Sequence, residues 1–120
     1  MSSQQNDIKL APWLSVSNGA EALQFYKKAF HVEEIYRLDD NGTLIIAHVK
    51  VGGAEFWIQE DPESNTPARM IMTVSDPDSL FDQALKAGAT EVVPVNESHG
   101  WRVGRLVDPF GHHWEIGRQL

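Results

Sequence analysis

The chemistry-bearing residues of this chain gather at its end, where "DPFGHHWEIG" runs from Asp108 to Gly117. Two histidines just before a glutamate are donor types that divalent transition metals accept. Alternation along a strand sends His112 and His113 to opposite faces, so only His113 shares a face with Glu115. Two donors fall short of the three that a catalytic metal ordinarily takes from the protein. His48, far away in sequence, is the one further histidine that such a cluster could recruit. There is no cysteine, which removes disulfides, a thiolate nucleophile and cysteine-type zinc sites. Ser15, Ser17 and the histidines show no triad grammar. Asn41-Gly42-Thr43 and Asn96-Glu97-Ser98 read as turns, and "VGGAEF" reads as a hairpin glycine pair with no following helix to cradle a phosphate.

The elements that must position these groups come in two matching sets. Val16-Ser17 recurs 58 positions later as Val74-Ser75. The same offset relates Lys28-Ala29 to Lys86-Ala87, Gly42 to Gly100, Val49 to Val107 and Ile58 to Ile116. A gapless repeat of this length marks two copies of one supersecondary unit. In each copy a short strand leads to a capped helix: Asn18 with Glu21 three residues on, then Asp76 followed by Pro77. Leu23, Tyr26 and Phe30 form the apolar stripe of the first helix; Leu80 or Phe81, Ala84 and Leu85 form that of the second, which Gly88 stops. Three β-type runs follow each helix: "EEIYRL", "TLIIAHVKV" and "AEFWIQE", then "TEVVPV", "WRVGRLV" and "HHWEIG". "LDDNGT" and "VNESHG" supply turn chemistry, and "EDPESNTPA" joins the copies.

The expected fold is therefore α+β: two tandem βαβββ modules, about 8–60 and 68–118, forming a curved mixed sheet around a shared cavity. One helix per copy covers one sheet face, and the other faces would bound the hollow. Whether it closes within one chain or across two is open at this stage. At 120 residues the chain makes a single domain. Its formal charge of −7, from 17 acidic and 10 basic residues, repels a phosphate backbone, so nucleic acid is not an expected partner. The polar start, "MSSQQNDIKL", lacks the apolar run of a signal peptide, and no stretch nears the ~18 apolar residues of a membrane span. A soluble cytoplasmic protein is expected.

The paired repeat, "FYKKAF" on the first helix and the closing "GRLVDPFGHHWEI" together resemble the vicinal oxygen chelate superfamily. That superfamily holds glyoxalase I, fosfomycin-resistance proteins, extradiol dioxygenases and bleomycin-resistance proteins; "DPFGHHW" most resembles its PhnB-like branch. The resemblance spans Ile8 to Arg118 and implies metal ligands at two repeat-related pairs of positions. Here those positions hold Ala11 and Arg69, and Trp57 and Glu115, so only Glu115 can ligate. The resemblance, so modified, implies a metal-free small-molecule binder of the bleomycin-resistance type, with no cofactor. It would enclose a partly aromatic or polar metabolite or drug. Trp57, Arg69, His113, Glu115, Trp101 and His48 are the candidate ligand-binding residues, with Glu55 beside them and Trp13 as a further cavity wall. Arg69 and Glu115 are either a structural ion pair or a clamp for a polar ligand. Phe56, Trp114 and Ile116 are core. One alternative is a metal-dependent lyase or dioxygenase of the glyoxalase I type, using His113, Glu115 and His48. Another is a metal-free enzyme with Glu115 as general base. A homodimer is expected, by analogy with the superfamily and the symmetry habit of oligomers.

Overall fold

The computed structural model describes residues 8–120; the polar start read at positions 1–7 lies outside them. The first half contains β1 (Trp13–Val16), α1 (Gly19–Phe30), β2 (Glu33–Asp40), β3 (Thr43–Val51) and β4 (Ala54–Glu60). The second contains β5 (Arg69–Thr73), α2 (Pro77–Ala87), β6 (Thr90–Ser98), β7 (Trp101–Val107) and β8 (His113–Gln119). Each half makes its own four-stranded mixed sheet, ordered β1-β4-β3-β2 and β5-β8-β7-β6. In both, the first strand runs parallel to the last and the other pairings are antiparallel. The repeat reaches down to register: Trp13 stands across from Trp57, and Ile71 across from Glu115.

The local signals do what their chemistry requires. The Glu21 N–H donates to Asn18 Oδ1 at 3.1 Å, and the Ser79 N–H donates to Asp76 Oδ1 at 3.2 Å, capping the two helices. Asn41 and Gly42 adopt φ 52° and 81°, His99 and Gly100 φ 54° and 84°, the paired left-handed residues of tight hairpins. The strands run closer to these turns than the apolar pattern implied. Asp40 pairs with Thr43 and Ser98 with Trp101, because a two-residue turn lets the ladder continue to its edge.

One face of each sheet is buried by its helix. Ala22, Leu23, Tyr26 and Ala29 of α1 lie on Leu14, Val16, Ala47, Val49, Phe56 and Ile58; Phe81 and Ala84 of α2 meet Leu106 and Ile116 in the same continuous core. The approach of α2 to its sheet needs Gly104. A Cβ there would fall 2.8 Å from Phe81 and 2.9 Å from Val95. The halves meet through α1 and α2, where the Gln83 amide donates to the carbonyls of Lys28 and Ala29 at 3.1 and 2.9 Å.

The opposite sheet faces stay open. The chain measures 46 × 46 × 23 Å with a radius of gyration of 15.3 Å, against about 14 Å for a compact domain of this length. The curved sheet comes in two separate pieces.

Candidate functional site

Strand alternation sends Leu14, Val16, Phe56 and Ile58 inward and leaves Trp13, Ser15, Trp57 and Gln59 on the open face of the first sheet. Register then lines up Tyr36, His48, Trp57 and Trp13 in one row across all four strands. The His48 ring stacks on Trp57 with centroids 4.0 Å apart and planes within 5°, and Trp57 stacks on Trp13 at 6.1 Å and 21°. Glu55 Oε1 lies 2.9 Å from His48 Nε2, and Lys9 Nζ lies 3.9 Å from Glu55 Oε2. Trp13 Nε1 donates to Gln59 Oε1 at 3.0 Å, and Ser15 Oγ shares that acceptor at 3.3 Å. Trp13 and Tyr36 are each 49% exposed. The row is a half-solvated aromatic platform whose rings are held from behind and beside.

The open face of the second sheet is built from charge. Arg69 Nε donates to Glu115 Oε2 at 2.6 Å, and Arg69 Nη2 meets the same oxygen. Arg105 stands across from Glu115 on β7, and His113 across from Arg69 on β5. Trp101, Ile71, Ser98, Val103 and Glu115 line a hollow of about 370 Å³. Arg69, Arg105, Asn96 and Glu115 line an adjoining one of about 270 Å³. A third hollow, the seam between the halves, is faced by Phe30, Phe56, Met70, Met72, Leu80 and Trp114 and offers little polar chemistry.

The expected site residues therefore fall into two groups. Arg69, His113, Glu115 and Trp101 share the second sheet's open face, while His48, Glu55 and Trp57 share the first's. The expectation that Glu55, Trp57, His113 and Glu115 line one cavity is not met within a chain. Their strands hydrogen-bond into two sheets, and the halves dock through their helices instead. Sequence reasoning missed Tyr36 and Arg105. Pairing outward from the Asn41-Gly42 turn would set Tyr36 opposite Ala47; an irregularity between Leu38 and Asp39 shifts the ladder by one and sets it opposite His48, which no turn signal announces.

The other histidine has a structural post. His112 is 2% exposed. Its Nδ1 accepts the Ala68 N–H at 2.9 Å, so Nε2 carries the proton and donates to the Ser15 carbonyl of the first half at 2.8 Å. Asp108, 3% exposed, accepts from the Tyr26 hydroxyl at 2.5 Å, Trp114 Nε1 at 2.9 Å and the N–H groups of Phe110 and His112 at 2.9 and 3.0 Å. Burial, then the Asp108 charge and its hydrogen bond, hold the Tyr26 hydroxyl protonated well above the ordinary tyrosine range. "DPFGHH" is thus a clasp that ties the second half to α1 and β1.

The metal ligands implied by the fold can be tested against these groups. Ala11 lies beside Lys9, Pro12 and Gly53–Glu55; Arg69 holds Glu115; Trp57 is stacked between two rings. Among the described residues no three His, Cys, Asp or Glu side chains stand close enough to share a cation. A methyl, a guanidinium and an indole do not fit a divalent metal.

The glyoxalase-like domain family matches residues 13–117. The chain belongs to that family. This glyoxalase-like chain is 37% identical over 126 residues to the uncharacterised protein Mb0911c of Mycobacterium bovis, covering 92% of this chain and 83% of the relative. The uncharacterised protein Rv0887c of Mycobacterium tuberculosis is equally similar, with 74% of its length covered. Among solved structures, TioX from Micromonospora sp. ML1 superposes with a TM-score of 0.81 at 25% identity, over 94% of this chain and 100% of that one. The fosfomycin resistance protein FosX of Listeria monocytogenes gives 0.79 at 17%, over 95% and 94%, a likeness of fold. A glyoxalase/bleomycin resistance protein/dioxygenase family enzyme of Burkholderia phytofirmans gives 0.78 at 18%, over 94% and 100%. These neighbours share the fold of this chain. Among the described residues, no helix of this glyoxalase-like chain is long and apolar enough to cross a membrane.

Proposed function

We propose that this glyoxalase-like chain is a cytoplasmic, homodimeric small-molecule binding protein that works without a catalytic metal. Its ligand is a partly aromatic, partly polar metabolite or drug. The observation that carries this reading is the stacked His48–Trp57–Trp13 row, standing half-open where a metal-binding relative would present a ligand. A ring laid on that row gains stacking and apolar burial together. The closing "DPFGHHW" supports kinship with the PhnB-like branch.

What each chain leaves uncovered supports the dimer. Trp13, Tyr36 and Leu38 stand 49, 49 and 44% exposed on the first sheet, and Ile71 73% on the second. Apolar groups this open call for a cover. Setting the first sheet of one chain over the second sheet of its partner covers both and encloses two equivalent cavities by two-fold symmetry. Each would bring Trp57 and His48 from one chain to face Arg69, His113, Glu115 and Trp101 of the other.

Elemental analysis of protein purified without chelators, combined with tryptophan fluorescence against a panel of metabolites and antibiotics, tests the reading. The expected result is sub-stoichiometric metal and saturable quenching by ring-bearing compounds. A stoichiometric Zn, Ni, Mn or Fe that is lost in Glu115→Ala would contradict it. One observation favours a second reading, a metal-free enzyme with Glu115 as base: Arg69 engages a single carboxylate oxygen, Oε2. Product analysis of any bound compound, repeated with Glu115→Gln, decides between them.

A further inference from the structure

Among the described residues, the open face of the second sheet carries an arginine whose buried Nε has no partner. Arg37 is held by Asp39 and Glu34, Arg69 by Glu115, and Arg102 by Asp78 and Glu97. Arg105 makes neither a hydrogen bond nor an ion pair with the described residues, and its Nε is buried with no acceptor. A guanidinium brings five N–H donors and a charge that protein cannot neutralise by deprotonation. Leaving the buried Nε–H of that fork unmet is costly, so the site is incomplete as it stands.

What completes it follows from the surroundings. Arg105 opens onto the hollow of about 270 Å³ that it shares with Arg69, Asn96 and Glu115. Arg69 and Glu115 cancel, leaving about one net positive charge in a chain whose formal charge is −7. On the other open face Glu55 is already engaged by His48 and Lys9, and Glu33, in the same row through Lys50, stands on the edge strand β2. The neighbouring hollow, joined through Val103 and Glu115, is walled by Ile71, Val103 and Trp101.

We propose that Arg105 is the head-group receptor of this site and that the ligand is a carboxylic acid with an apolar or aromatic body. The carboxylate takes the planar guanidinium fork, and the body lies along Val103 and Trp101 beneath the covering aromatic row. A single net positive charge suits a monoanionic carboxylate better than a doubly charged phosphate. This assignment rests on reading the chain as a small-molecule binder and names the class of molecule bound.

The test is calorimetry of the full-length dimer with 2-naphthoate and its neutral isostere 2-naphthamide. The acid is expected to bind at least about tenfold tighter than the amide. Arg105→Gln should erase that preference, and Arg105→Lys should keep part of it. Glu115→Gln, which removes the competing carboxylate, should widen the preference; general damage to the fold would not do so. Equal binding of acid and amide by the native protein, or a preference that survives Arg105→Gln, would overturn the carboxylate assignment and leave the binder reading standing. Binding of neither probe by a verified dimer would overturn both. Should Arg105→Gln dissociate the dimer in sedimentation while the acid preference persists, Arg105 is an interface residue and the assignment fails.

Discussion

His112 and His113 are neighbours in the chain yet point to opposite faces of the second sheet, and their surroundings divide the labour. His112 is sealed among backbone groups, while His113 opens beside Arg69. Asp108 shows what the sealed side is worth. Replacing it with Ala strands the Tyr26 hydroxyl, the Trp114 indole N–H and two backbone N–H groups in the interior. Asp108→Ala should therefore lose at least about 3 kcal/mol of unfolding free energy in urea melts. A loss below about 1 kcal/mol would mean that the clasp is ornamental. Trp57 belongs to the open side, and Trp57→Ala should bind naphthoate about tenfold more weakly. Its stability cost should be small beside that of Asp108→Ala, since Trp57 lies outside the buried core. Much of this was legible from alternation: His113 was separable from His112, and Trp114 from Glu115, by parity alone. The unpartnered state of Arg105 was not, because charge satisfaction depends on which acid each arginine reaches across strands.

At the scale of elements, the caps, turns and strand centres of both halves follow from local chemistry, which is why the βαβββ order was readable from one sequence. Helix-to-sheet distance is a non-local quantity, and Gly104 is where it is set. Gly104→Ala forces a methyl against Phe81 and Val95 and should destabilise by about 1–3 kcal/mol, read as a lowered thermal midpoint. The junction of α1 with the Asp108 loop carries a pH signature. The folded Tyr26 hydroxyl titrates above its unfolded value, so its contribution is complete below about pH 10 and fades as pH climbs through and beyond that value. Melts at about pH 9 and about pH 11 should show a decline in the native protein that is smaller in Tyr26→Phe. Equal declines would place the alkaline sensitivity elsewhere.

At the scale of the molecule, the repeat predicted two like halves, and the structure has them. What the sequence could not carry is their mutual placement, since the same two modules can face each other or stand side by side. Here helix packing and the Asp108–His112 clasp hold them side by side, leaving one aromatic and one charged face open. In the proposed dimer each binding site joins the aromatic face of one chain to the charged face of another. Mixing unfolded Trp57→Ala with unfolded Arg105→Gln and refolding them together tests this directly by naphthoate calorimetry. Each variant alone spoils both sites of its dimer, but a mixed dimer regains one intact site. The account predicts that tight binding returns at about a quarter of the sites after random pairing. A mixture that forms mixed dimers and still binds no better than its two parents would contradict it.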